Sequence, residues 1–191
     1  MRVAVAIALL VIAVAGCANV PATPSPSATP SPAPTASPAA SSAVAVDASL
    51  LTMLPADVAG ISIVESPEAE AQALADPVVA ADAERIAAGI AADAATGDFV
   101  YGVVVALRPG AMSDASFRAW RDSFDQGACS QAGGVVGHAE GQIGGRDVYI
   151  GSCAGGLHTY HLWLPARQRL ISISALGDRR FGEQLVAGVR E

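Results

Sequence analysis

The spacing of apolar residues along the chain changes from one region to the next. Over residues 135–176 apolar and polar positions mostly alternate with a period of two, the pattern of half-buried strands. Turn-forming residues cut this region into four strands, 135–143, 147–152, 157–164 and 170–176. The connectors are Gly144-Gly145, Ala154-Gly155-Gly156 and Pro165-Ala166-Arg167-Gln168. A Gly-Gly link suits a type I′ hairpin, which requires positive φ at both central residues. An antiparallel meander follows.

Upstream the spacing is three to four residues. Asp76-Pro77 places a capping residue before a proline suited to the first helical turn, and Val79, Ala83, Ile86, Ile90 and Ala94 then form a stripe closed by Gly97. This pattern predicts an amphipathic helix of about 20 residues. Ser113 caps a second helix, in which Phe117, Trp120 and Phe124 form the buried stripe and Met112 staples onto Phe117. Arg118 with Asp122 and Arg121 with Asp125 read as ion pairs on its wet face, and Gly127 as its end. Asp178 is expected to cap a closing helix that buries Phe181, Leu185, Val186 and Val189. Residues 60–66, "GISIVES", read as a short edge strand. Residues 98–107, "DFVYGVVVAL", are apolar on both alternations, as in a strand covered on both faces. The expected fold is α+β, a mainly antiparallel sheet with a four-strand C-terminal meander and about three helices packed on one face.

The N-terminal region changes the picture of where such a domain resides. Residues 3–15 are an apolar run behind Arg2, the size of a signal-peptide core and too short to span a bilayer as a helix. The run ends in Val14-Ala15-Gly16-Cys17, which resembles the lipobox of bacterial lipoproteins. That resemblance covers only the first 17 residues, and it implies a signal peptide over 1–16 and a diacylated Cys17 after cleavage. Residues 17–43 are almost wholly Pro, Ser, Thr and Ala after the cysteine, a composition expected to form an extended disordered tether. Residues 44–191 remain as a single extracytoplasmic α+β domain, held by its lipid to the outer face of the cytoplasmic membrane, or to the outer membrane of a diderm cell.

Charge narrows the partners. The chain carries 18 acidic residues against 11 basic ones, all arginine, for a net charge of −7. That balance argues against nucleic acid and against electrostatic adhesion to anionic lipid, so membrane contact falls to the acyl chains. An envelope protein, a glycan or a small ligand is the expected partner.

Candidate chemistry centres on "YIGSCAGGLHTYHLW". Gly151-Ser152-Cys153-Ala154-Gly155 fits a nucleophile elbow with cysteine in place of serine. An elbow needs a helix after the nucleophile, but residues 157–164 read as a strand, and His158 and His161 precede Asp178, against the hydrolase chain order. In an oxidising compartment three cysteines resolve instead as Cys17 for lipid and Cys129 with Cys153 for a disulfide. Such a bridge contributes about 3 kcal/mol by the chain-entropy estimate.

His158 and His161, three apart on a strand, point to opposite faces, so with Cys153 and His138 they make no convergent metal set, and no cofactor is expected. Ser172 and Ser174 read as a solvated face opposite Ile171, Ile173 and Ala175. His158, Tyr160, His161 and Trp163 make one strand aromatic-rich and are the candidate binding surface. The leading expectation is a non-enzymatic binding or interaction module. The alternative is a hydrolase using His158 or His161 with Asp147 or Asp178 and a Ser or Cys nucleophile.

Overall fold

The computed structural model describes residues 43–190. Cys17, the signal peptide and the tether lie outside the described residues. In chain order the elements are β1 (Ala45–Val46), a 3₁₀ turn (Ala48–Met53), β2 (Asp57–Val58), β3 (Ile61–Ser62), β4 (Val64–Glu65), α1 (Pro67–Leu74) and α2 (Pro77–Asp82). There follow β5 (Ala83–Ala92), β6 (Phe99–Leu107), α3 (Asp114–Cys129), β7 (Val135–Ile143), β8 (Arg146–Cys153), β9 (His158–Leu164), β10 (Arg169–Leu176) and α4 (Phe181–Ala187). The main sheet runs β1-β5-β6-β10-β9-β8-β7, with β4 also paired to β5. All its pairings are antiparallel except β1 with β5. The domain is therefore α+β, and the meander β7–β10 forms half of the sheet. Gly144 and Gly145 have φ of +61° and +79°, the conformation the β7–β8 hairpin turn requires.

One long helix was expected where the chain makes two elements. The stripe from Val79 to Ala94 breaks after Asp82, and Ala83–Ala92 becomes the strand β5. A strand covered on both faces shows no alternation, so its apolar residues also match a helical stripe by chance. Close packing supplied the deciding constraint. A Cβ on Gly89 would lie 2.7 Å from Ile63 Cγ2 and 3.3 Å from Leu51 Cδ2, so small residues are what let this strand sit under its neighbours. Outside β5, β1 covers Arg85 and Ile86 while β4 covers Gly89 and Ile90. Between them the Ala88 amide is met by the buried Glu70 carboxylate of α1, an otherwise costly burial.

Alternate residues of each strand build two cores. Ala87, Val104, Leu162, Ile171 and Ile173 pack with Phe181, Leu185 and Val186 of α4 and with the 3₁₀ turn. The intervening residues, among them Ile86, Val103, Val105 and Leu170, pack with Phe117 and Trp120 of α3 and with α1 and α2. Helices thus cover both faces, with α1–α3 on one and α4 on the other. Phe181, Leu185, Val186 and Val189 are buried as expected. The residue preceding α4 is Arg180, however, in the left-handed region at φ +56°, and Asp178 is exposed.

Candidate functional site

Ser113 and Ser116 form a reciprocal capping box that starts α3, and the helix runs past Gly127 to Cys129. There Cys129 is bonded to Cys153 at the end of β8, with the Cα atoms 5.2 Å apart. The bond fixes the rotation and height of α3 over the sheet. One helical turn back from Cys129 stands Asp125, and two residues back from Cys153 stands Gly151, on the same face of β8. A turn of helix rises about 5.4 Å and two strand residues about 6.7 Å, so the two come together. A Cβ on Gly151 would overlap the Thr159 hydroxyl and lie 2.6 Å from Asp125 Oδ2, so the bare glycine backbone is what admits both groups.

Asp125 has no solvent exposure, unlike the wet-face ion pair with Arg121 that its spacing suggested. Arg121 instead bonds Asp122 and lies over the Tyr149 ring. Asp125 Oδ1 accepts from the Thr159 hydroxyl and lies 2.8 Å from His161 Nε2. Its Oδ2 is 2.9 Å from His138 Nε2 on β7. Beyond His161, Nδ1 lies 2.9 Å from Ser172 Oγ, and that oxygen accepts from Trp120 Nε1 at 2.8 Å. Every proton finds an acceptor if His161 is the neutral imidazole protonated on Nε2: Trp120 donates to Ser172, Ser172 to His161, and His161 to Asp125. Ser172 and Ser174, expected on a solvated face, are buried in this interface.

The electrostatics agree with that assignment. Burial is the main cause holding His161 below its ordinary pKa, against the opposing pull of Asp125. For Asp125 burial alone would raise the carboxyl, but hydrogen bonds from His161 and Thr159, with His138, outweigh it and keep the group below the usual range.

The network holds up one wall of a cavity of about 650 Å³ between α1–α2 and α3. Trp120 and Phe124 line it, with Tyr101 and Val103 from β6, Ser174 and Leu176 from β10, and Val79 from α2. Trp120 is locked through Ser172, and Phe124 stands edge-on to His161 with ring centroids 5.2 Å apart. At the far end the lining comes from residues flanking the disulfide, including Ala128, Ser130, Gly155 and Leu157. The polar lining is chiefly hydroxyl and amide; among the described residues Asp76 is its one charged residue, and its carboxylate accepts from the Val78 and Val79 amides it caps. Burial raises the Tyr101 phenol well above its ordinary value, with Glu70 adding to the effect, so it stays a neutral donor.

The four residues of the aromatic strand do not share a surface. His158 is exposed and its Nδ1 lies 3.2 Å from Ser152 Oγ, Tyr160 is buried in the α4 core, His161 is buried in the network, and Trp163 is half-buried near Phe117. Asp147 accepts from Gln142 and does not take part in the network. The acid that His161 meets is Asp125, which lies four residues before a cysteine that the disulfide turns inward. That spacing was the available signal for it. Compared with family models, with curated proteins and with solved structures, the chain matches none.

Proposed function

We propose that this chain is a lipid-anchored envelope protein whose domain binds a small molecule with an apolar body and an uncharged hydrogen-bonding group in the cavity between α1–α2 and α3. The observation that carries the reading is the cavity itself: about 650 Å³, walled by aromatic and aliphatic side chains and a few converging hydroxyls. Ligand sites have this size and composition. The Trp120–Ser172–His161–Asp125 chain serves as the rigid backing that keeps the aromatic wall in place before ligand arrives. Anchoring through Cys17 predicts that Cys17→Ala releases the protein from the membrane fraction, and unchanged membrane association would remove that part of the proposal.

The cavity is tested with the uncharged dye N-phenyl-1-naphthylamine. Gly127 lines the cavity, and a Cβ there meets nothing within 4 Å, so Gly127→Leu should fill space while favouring the helix. Saturable dye binding that weakens at least tenfold in Gly127→Leu supports the site. Absent binding, or binding that the variant leaves unchanged, overturns it.

A hydrolase reading draws on the order Ser172–His161–Asp125, whose contacts parallel a catalytic triad. Against it, Ser172 is fully buried and its oxygen already accepts the Trp120 proton. Labelling of Ser172 by a fluorophosphonate probe, lost in Ser172→Ala, would turn the reading toward catalysis.

A further inference from the structure

The two sides of the sheet end differently. On the β5 side the outer strands β1 and β4 have two residues each. Short outer strands are one of the ordinary ways of blunting an edge. On the other side β7, among the described residues, ends the sheet with nine residues, six of them exposed, and contains neither proline nor lysine. Gly137, Ala139 and Gly141 put no large side chain on one face of this strand.

The sequence of the edge is nearly symmetric about Ala139. Reversed upon itself there, "GHAEG" places Gly137 opposite Gly141, and His138 opposite Glu140. The two His138–Glu140 pairs fall on the α3 face, because His138 and Glu140 share the alternation that faces Asp125 and Tyr149. Glu140 alone would discourage a random strand from pairing here. In a two-fold arrangement about Ala139 each Glu140 instead stands across from the other copy's His138 and not from the other Glu140, so the destabilising opposition of like charges across an antiparallel ladder does not arise. The irregular pairing with β8 between Val135 and Gly137 ends the regular edge at one side, so the matched stretch is 137–141.

We propose that β7 is a self-association edge: two copies of this chain pair their β7 strands antiparallel about Ala139, exchanging His138–Glu140 contacts and joining two sheets into one. This inference is independent of the ligand cavity, whose floor on β10 and β6 begins three strands away. The matched stretch is short, so the dimer is weak and reversible in solution.

Cysteine trapping tests the pairing and its register together, in full-length chains carrying Cys17→Ala so that the introduced thiol is the free one. A residue on the two-fold axis faces its own copy, within reach of a disulfide after a small shift. Under mild diamide oxidation Ala139→Cys should give a covalent dimer. Gly141→Cys alone should give little, whereas Gly137→Cys mixed with Gly141→Cys should crosslink. Sedimentation equilibrium should show a reversible dimer for the chain with alanine kept at 139, weakened at least tenfold by Glu140→Arg. A strictly monomeric chain that fails to crosslink at 139 overturns the proposal, as does equal crosslinking at 137, 139 and 141, which marks random collision. A monomeric chain that captures a foreign strand at β7 also overturns it.

Discussion

On the α4 face of the sheet, Leu162, Ile171, Ile173, Leu185 and Val186 pack as an apolar layer together with the Tyr160 ring, whose hydroxyl is directed to Glu183 of α4. On the α3 face, the intervening residues of β9 and β10 include Thr159, His161, Ser172 and Ser174, all buried, under a helix that brings in Asp125. The same strands build both, one residue out of step. The apolar face needs only volume and shape, so it tolerates repacking and is held by transfer free energy. The polar face must close every hydrogen bond, because an unmet buried group costs more than a met one contributes. In return it fixes one geometry, and that geometry carries the cavity wall. Stability and recognition are thus assigned to opposite sides of one sheet.

The largest effect should come from breaking the polar face at its hub. Asp125→Ala leaves Thr159 and His161 buried without their shared acceptor, and we expect a loss of about 4 kcal/mol in urea unfolding together with a weakened dye site. A loss under about 1 kcal/mol would place Asp125 in water. Leu185→Ala on the other face should cost about 3 kcal/mol by leaving a void, yet dye affinity measured well below the unfolding midpoint should hold. If affinity falls in parallel, the two faces are not separable.

Ser172→Ala strands the Trp120 indole N–H and His161 Nδ1. It should cost about 2 kcal/mol and shift Trp120 emission, read in a Trp163→Phe background. An unmoved spectrum would mean that Ser172 does not hold the ring. The smallest effect is that of pH. His161 has a folded pKa below its unfolded value of about 6.5, so the unfolded chain takes up a proton that the native chain refuses. Stability should fall by about 1 kcal/mol between pH 7.5 and 5.5, and His161→Gln should flatten that slope. Stability rising on acidification would instead establish a buried imidazolium–aspartate pair. Below the ordinary carboxylate range, protonation of Asp125 adds to the loss in the same direction.

Much of this was legible from residue spacing alone. The meander strands, the Gly-Gly turn, the Ser113 cap and the Cys129–Cys153 bond follow from period-two alternation, turn chemistry and cysteine count. Residues 83–92 were not legible, because a strand buried on both faces and rich in alanine has the composition of a helix, and only the close approach of Ile63 and Leu51 to Gly89 decides. The site was half legible. His161 stood out as a chemical group, but its partner Asp125 looked like a surface charge because i,i+4 spacing to Arg121 is the commoner reason for such a pair. Ser172 and Ser174 read as wet for a similar reason: small hydroxyls on a strand suit water as well as they suit a buried indole N–H.

Gly151 carries a consequence for how this domain changes over generations. Because the Thr159 hydroxyl and the Asp125 carboxylate both occupy the space a side chain would need, the glycine is not free to vary alone. Any larger residue at 151 must arrive with smaller ones at both 125 and 159, and a lineage that loses the aspartate alone still meets the Thr159 hydroxyl there. Divergent descendants of this chain should therefore keep or lose the three together. This linked inheritance would mark kinship after the rest of the α3 face has drifted.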